Sequence, residues 1–108
     1  MLNTVVESSM EISGMAEKAT EAAELLSAMA NPVRLLLLCS LVEGEKSVNE
    51  LVIACGVSQS TVSQHLAKMR NLKLVATRRD AQTIYYRLAS DEVQKVLTTL
   101  YGIYCQIK

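Results

Sequence analysis

Residues 47–70, SVNELVIACGVSQSTVSQHLAKMR, carry the signals for two short helices joined by a tight turn. Ser47 and Glu50 have the spacing of a capping box, in which each side chain bonds the backbone amide of the other residue. Gly56 supplies the left-handed conformation that ends a helix, and Ser58 is placed to cap the next helix. The stretch is therefore predicted to form a helix-turn-helix.

The second of these helices has two chemically different faces. Val62, Leu66 and Met69 recur at helical spacing and form an inward stripe. The outward side chains are donor-rich and mostly uncharged, as a helix that reads base edges in the major groove requires. The residues of this helix and its cap that we expect to contact DNA are Ser58, Gln59, Ser60, Thr61, Ser63, Gln64, His65 and Lys68.

A β-hairpin is predicted downstream of the helix-turn-helix. Residues 84–88 alternate apolar and polar side chains, which is typical of a strand, and residues 74–78 can pair with them. The turn between them, residues 79–82, is basic and polar, so its tip is predicted to reach the minor groove or the phosphates. The residues expected to contact DNA from this hairpin are Arg78, Arg79 and Gln82.

Three further helices are predicted around this motif. The first begins at Met15 and ends at Asn31, because a residue before proline avoids helical backbone angles. The next, residues 33–42, is apolar nearly all round and is expected to be central and buried. The last is capped by Ser90 and carries an apolar stripe along residues 93–104.

The length of 108 residues suits one compact domain. Residues 15–108 are assigned to that domain, and residues 1–14 are expected to be loose. The first and last helices have larger apolar faces than a small winged module needs, so we expect them to pair with a second copy; the alternative is one larger monomeric core. The sequence thus predicts a mainly α, winged helix-turn-helix fold with a small β-hairpin, assembled as a homodimer.

The net charge is zero, but its distribution is uneven. Residues 1–57 hold eight acidic and three basic side chains, whereas residues 58–88 hold six basic side chains and one acidic one. A neutral chain with one strongly basic segment is expected to bind a polyanion on that side. The alternative interpretation of the basic segment is an ordinary solvated face.

The three cysteines, Cys39, Cys55 and Cys105, are odd in number and widely spaced, which favours free thiols in a reducing compartment. No signal-peptide pattern opens the chain, and its longest apolar run is too short to span a bilayer. We therefore expect a cytoplasmic protein with no membrane partner. Catalytic residue sets and a glycine-rich phosphate loop are missing, so neither an enzyme nor a cofactor is predicted.

The order of these elements resembles the ArsR family of bacterial winged-helix repressors. The resemblance is carried by NPVRLLLL (31–38), by the helix-turn-helix at 47–70 and by RRDAQTIYYRL (78–88), and it extends from about Met15 to Cys105. It implies a homodimer built on the first and last helices. It also implies binding to operator DNA with an imperfect palindrome.

Many members of that family are metal sensors, and this chain departs from them. Their ligands resemble a Cys-x-Cys pair on the helix before the recognition helix, where ELVIACG (50–56) has one cysteine. Other members use Asp and His pairs on the last helix, where this chain has no histidine. Its one histidine, His65, belongs to the recognition helix, so no metal site of nitrogen and oxygen ligands is predicted.

Cys39 and Cys105 match a narrower group. Their contexts, LLLLCSLVEGEKSV (35–48) and LYGIYC (100–105), resemble the BigR and SqrR group, which senses reactive sulfur species through two cysteines on these helices. The HlyU group, described as an antirepressor, is similar too. The resemblance implies redox-sensing roles for Cys39 and Cys105, with persulfides or polysulfides as inducers. Cys55 fits neither pattern and is interpreted as a packing residue.

The leading hypothesis is a repressor whose operator binding is switched off by a sulfur bridge between Cys39 and Cys105. Cys39 is expected to be buried, and Cys105 to lie at the edge of the apolar stripe, where a reagent can reach it. Two alternatives stay open: a thiolate sensor of arsenite or cadmium, with or without Cys55, and an antirepressor with no chemical input. The remaining possibility is that both thiols are ordinary core residues.

Overall fold

A computed structural model of the chain describes residues 12–105. In chain order the elements are α1 (Ile12–Met29), α2 (Pro32–Val42), β1 (Lys46–Ser47), α3 (Val48–Cys55), α4 (Gln59–Asn71), β2 (Val75–Asp80), β3 (Thr83–Leu88) and α5 (Asp91–Tyr104). The predicted mainly α, winged helix-turn-helix fold is confirmed. Within residues 12–105 no single helix is long and apolar enough to cross a membrane, and only α1 and α2 taken together reach that length and composition.

The chain divides into two compact units, the first ending at Ala30 and the second beginning at Asn31. The described part of the first unit is α1, which starts at Ile12 rather than at the predicted Met15. Residues 12–14 are therefore helical, and the rest of the segment predicted to be loose, residues 1–11, lies outside the described residues. Ser13 and Gly14 are weak helix formers, which hid the first turn from the sequence pattern.

Side-chain caps set the helix boundaries of the second unit. The Asn31 carboxamide oxygen accepts hydrogen bonds from two amides in the first turn of α2, at 2.9 and 3.0 Å. In α3 the Glu50 amide donates to Ser47 Oγ at 3.2 Å and the Ser47 amide donates to Glu50 Oε1 at 2.8 Å. Gly56 ends α3 in the left-handed region, at φ 66°. The predicted capping box and glycine turn are confirmed.

The core of the second unit consists of aliphatic side chains from four helices and the first strand of the hairpin. The predicted inward stripe of α4 is confirmed, because all three of its side chains are fully buried. Each such side chain contributes roughly 1.5–3 kcal/mol to folding by leaving water. The largest fully buried residues are Leu37, Leu38, Leu51, Val62, Leu66, Met69, Val93 and Leu97.

The prediction that α2 is buried all round is wrong. Leu37, Leu38 and Leu41 are buried, whereas Leu36 is 52% exposed and Val42 is 37% exposed. Within the second unit α2 packs against α3, α4, α5 and β3, and these elements cover one side of it. The other side of α2 is an apolar face that the described residues leave open to solvent.

The hairpin is part of a three-stranded antiparallel sheet in the order β1-β3-β2. The short strand β1 was not predicted; its residues Lys46 and Ser47 pair with Tyr86 and Tyr85 of β3. The predicted turn at 79–82 is too long, because β2 continues through Asp80 and only two residues remain in the turn. Ala81 adopts a positive φ of 57° there, a conformation that glycine or asparagine usually signals in a sequence.

Candidate DNA interface and thiol site

The outer face of α4 carries exposed polar side chains opposite the buried stripe. Ser60, Gln64 and Lys68 are four residues apart, so they lie in one row along the helix. Ser63 and Gln59 are exposed beside this row, whereas His65 is half-buried at the boundary with the core. Hydroxyl, carboxamide and ammonium groups in this arrangement can bond base edges and phosphates.

The first turn of α4 is closed by hydroxyl groups. Ser58 Oγ accepts a hydrogen bond from the Thr61 amide at 3.3 Å and donates one to Thr61 Oγ1 at 2.9 Å. Ser60 Oγ lies 3.4 Å from Ser58 Oγ. Two predicted DNA contacts, Ser58 and Thr61, thus also hold the helix start in shape. The positive end of the helix dipole adds to the attraction of this region for phosphate.

The wing, defined here as β2, β3 and their turn, exposes all three of its predicted contacts, and one of them is paired within the protein. Arg79 and Gln82 are exposed at the end of β2 and in the turn. Arg78 is engaged instead: its Nε donates to Glu45 Oε1 at 2.8 Å and to Glu45 Oε2 at 3.0 Å, and its Nη2 also bonds Glu45. Its guanidinium lies 4.8 Å from the centre of the Tyr85 ring.

This ion pair shifts the pKa of both partners. Hydrogen bonding from Arg78 lowers the pKa of the Glu45 carboxyl, and hydrogen bonding to Glu45 raises the pKa of Arg78. Sequence reasoning missed Glu45 because its partner is 33 residues away, which leaves no local pattern.

All three cysteines are free thiols. Cys39 on α2 and Cys105 at the end of α5 are exposed, and Cys55 on α3 is half-buried. The expected exposure of Cys105 is confirmed, whereas the expected burial of Cys39 is wrong, because Cys39 lies on the open side of α2. Cys55 Sγ lies 3.8 Å from Ser40 Oγ, one residue after Cys39, so it packs against α2 as predicted for a packing residue.

The other two thiols influence Cys39. The pKa of the Cys39 thiol is raised, first by partial burial and then by the neighbouring thiol groups of Cys105 and Cys55, in that order. The three thiols come from helices that pack together, because α2, which carries Cys39, packs against α3 and α5. Among residues 12–105, no group of three or more His, Cys, Asp or Glu side chains has the arrangement of a metal site.

Comparison with known proteins places this arrangement in context. Residues 31–77 match the family described as "Bacterial regulatory protein, arsR family". The chain is 58% identical to the nodulation protein NolR of Rhizobium meliloti over 88 residues, which cover 82% of this chain and 72% of NolR. It is 45% identical to the transcriptional activator HlyU of Vibrio cholerae over 97 residues, covering 90% of each protein.

Solved structures agree with these relatives. The transcriptional repressor BigR of Xylella fastidiosa superimposes with a TM-score of 0.85 at 42% identity, covering 91% of this chain and 100% of the BigR chain. A homodimeric winged helix-turn-helix DNA-binding domain from Mycobacterium bovis gives a TM-score of 0.71 at 30% identity, with 82% of each chain covered.

The exposed row on α4 leads to a prediction about sequence reading. Gln64→Ala removes a carboxamide that can bond adenine at two points, so base preference should relax at one position of each half-site, at a cost of about 1–3 kcal/mol. Competition binding with single-base operator variants measures this. Gln94→Ala, the same substitution at an exposed position of α5, serves as the control. Equal weakening on every DNA sequence would contradict the assignment of Gln64.

The raised pKa of Cys39 predicts a pH effect on its reactivity. Cys105→Ser removes the larger of the two charge causes, so the pKa of Cys39 should fall and its alkylation by iodoacetamide should reach half-maximal rate at a lower pH. Cys55→Ser removes the smaller cause and should shift this midpoint less. Peptide mass spectrometry over a pH series measures both shifts. One midpoint shared by all three proteins would show that the thiols do not interact.

Proposed function

The chain belongs to the ArsR family and is a DNA-binding transcriptional regulator, and we propose that it is a repressor released from its operator by a sulfur bridge between Cys39 and Cys105. The observation that supports this proposal is the placement of the two thiols. Both are exposed and free, they come from two helices that pack against each other, and Cys105 contributes to the raised pKa of Cys39.

DNA binding, in this proposal, uses the outer face of α4 and the wing. The exposed polar row of α4 enters the major groove and reads base edges, as expected for the second helix of a helix-turn-helix. Arg79 and Gln82 of the wing and Lys68 of α4 bind the phosphate backbone. The binding site is an imperfect palindrome because two copies of the chain present two copies of α4. The protein acts in the cytoplasm.

A homodimer follows from the apolar faces of the terminal helices. On α1, Met15 and Leu26 are exposed, and on α5, Tyr101 and Ile103 are exposed. Large exposed apolar patches on a protein mark association surfaces. A second copy of the chain would cover each face, consistent with the homodimeric state of the Mycobacterium bovis domain.

The inducer we propose is a polysulfide, because it supplies both the extra sulfur and the oxidising equivalents. The Cys105 thiolate attacks the second sulfur from one end of the polysulfide and displaces the rest of it as a shorter polysulfide. The product is Cys105–S–S–SH. The Cys39 thiolate then attacks the middle sulfur of this chain and displaces HS⁻. The product is a trisulfide joining the two residues. The protein thiols lose two electrons, and the polysulfide gains them.

The bridge would act through α2. This helix packs against α3, α4 and α5 within the second unit, so tying Cys39 to the end of α5 constrains the element on which the DNA-reading pair rests. A small change in the position of α4 alters the distance between the two half-site contacts in the dimer, which must match one turn of DNA, about 34–36 Å. The bridged protein therefore binds its operator less tightly.

A second candidate function is a thiolate sensor of arsenite or cadmium. Soft thiolate ligands suit these ions. Cys39, Cys55 and Cys105 would have to move together to bind one, because among residues 12–105 no three such side chains have the arrangement of a metal site. This function differs from the leading proposal in requiring no oxidation. An antirepressor with no chemical input is a third candidate, favoured by the similarity to the activator HlyU.

Serine variants test the switch. Cys39→Ser and Cys105→Ser should bind operator DNA as tightly as the wild-type protein and should not be released by polysulfide, whereas release should weaken wild-type binding by about 5- to 150-fold. Cys55→Ser is the matched control and should respond normally. Intact mass spectrometry should show a gain of sulfur with the loss of two hydrogens in the wild-type protein.

The same panel separates the candidates. Release by arsenite that needs Cys39 and Cys105, with or without Cys55, would select the metalloid sensor. Wild-type binding that no agent changes would select the antirepressor. A Cys39→Ser protein that still leaves its operator on polysulfide treatment would show that this thiol only packs.

The dimer is tested by Leu26→Glu. Leu26 is 56% exposed, so a charge there leaves the folded chain intact and disrupts only a surface that a second copy covers. The variant should sediment as a monomer and lose operator affinity by about two orders of magnitude or more, because the half-sites are no longer linked. Ile53→Glu on α3, at a side chain that is 82% exposed, is the control for sedimentation. A dimeric Leu26→Glu protein would remove α1 from the interface.

A further inference from the structure

The ion pair of Glu45 and Arg78 crosses the sheet. Arg78 of β2 lies opposite Tyr85 of β3, and Tyr85 lies opposite Ser47 of β1. Glu45 precedes β1, so the Arg78 side chain must pass over the Tyr85 ring to reach it. The guanidinium is 4.8 Å from the centre of that ring. One side chain therefore connects the outer strand of the wing to the segment that leaves α2.

We propose that Glu45 is a positioning residue for DNA binding: through Arg78 it fixes the wing against the segment between α2 and β1, and Arg78 serves this hold rather than a phosphate contact. The proposal rests on the proposed function in one respect, namely that the wing contacts DNA.

The geometry of the pair indicates that Arg78 is fixed to Glu45 and is not a free cation. The guanidinium bonds both carboxylate oxygens of Glu45, at 2.8 and 3.0 Å from Nε, with a further bond from Nη2. Such fork-shaped pairing fixes orientation as well as distance. The side chains are only 48% and 32% exposed, and the Tyr85 ring covers one face of the guanidinium. A phosphate at Arg78 would have to replace a partner already in place.

The neighbouring arginine shows the contrast. Side chains alternate along a strand, so Arg79 points to the opposite face of the sheet from Arg78. Arg79 is exposed, and no carboxylate among residues 12–105 lies within ion-pair distance of it. Of the two neighbouring arginines of β2, Arg78 is thus engaged with the protein and Arg79 is available to phosphate.

The proposal predicts the opposite change in DNA affinity from the one that charge alone predicts for Glu45→Gln. Glu45→Gln removes a negative charge from the DNA-binding side of the protein, which by itself strengthens binding to a polyanion. If Glu45 instead competes with phosphate for Arg78, the same change also strengthens binding. Only a positioning role predicts that the loss of this carboxylate weakens binding.

The experiment measures the affinity of four variants for a DNA duplex selected by the wild-type protein from a random-sequence library, by fluorescence anisotropy at several salt concentrations. Glu45→Gln and Arg78→Lys should each weaken binding about two- to fivefold, the range expected for a partly exposed ion pair. The double variant should be no weaker than either single variant, because both changes break one interaction.

Glu43→Gln is the matched control. It makes the same substitution two residues earlier in the same segment, and Glu43 pairs with Lys46 of β1, at 3.4 Å, rather than with the wing. Its affinity should equal or exceed that of the wild-type protein. Glu45→Gln binding as tightly as wild type or more tightly, or Arg78→Lys binding normally, would overturn the positioning role.

Amide hydrogen exchange without DNA provides a second readout. In Glu45→Gln the amides of Lys46, Ser47 and Tyr85 should exchange faster, while those of α4 should be unchanged. Unaltered exchange, in a protein that binds its selected DNA, would overturn the positioning role alone. A wild-type protein that selects no DNA sequence would overturn the proposed function, and the positioning role with it.

Discussion

The burial of Val62, Leu66 and Met69 is the constraint on which the rest of the structure depends. These side chains have no exposure to water, and their helix packs against α2, α3 and β2. Fixing three points of a helix at this spacing fixes its rotation about its own axis. The row of Ser60, Gln64 and Lys68 is therefore held outward without any interaction of its own. The chemical character of the outer face follows from the apolar packing of the inner one.

The second helix connects the functions proposed for this chain. Its buried side supports α3 and α4, its open side carries Cys39, and its end leads within three residues to the Glu45 that bonds the wing. In the proposed switch, a chemical change at Cys39 would therefore occur on the element that positions both of the parts proposed to contact DNA.

Structural features that depend only on residues close together in the chain were predicted correctly from the sequence. Capping residues such as Ser47 and Glu50 act within one turn, and the α4 stripe repeats at helical spacing, so both were predicted correctly. The Glu45–Arg78 pair joins residues far apart in the chain, and β1 is too short to show a period. The exposure of Cys39 depends on which sides of α2 have neighbours, a tertiary property that an all-apolar helix does not reveal. Ala81 adopts a positive φ in the turn, at a position where a glycine would have made the conformation predictable.

The segment between α2 and β1 is only three residues long, and its central residue, Gly44, has a φ of 145°. Inserting one residue there would turn the side chains of β1 to the opposite face of the sheet and carry Glu45 away from Arg78. The turn of the wing lies at a free end and imposes no such register. Over evolutionary time, insertions and deletions should accordingly accumulate at the wing tip. The length of the segment between α2 and β1 should stay constant.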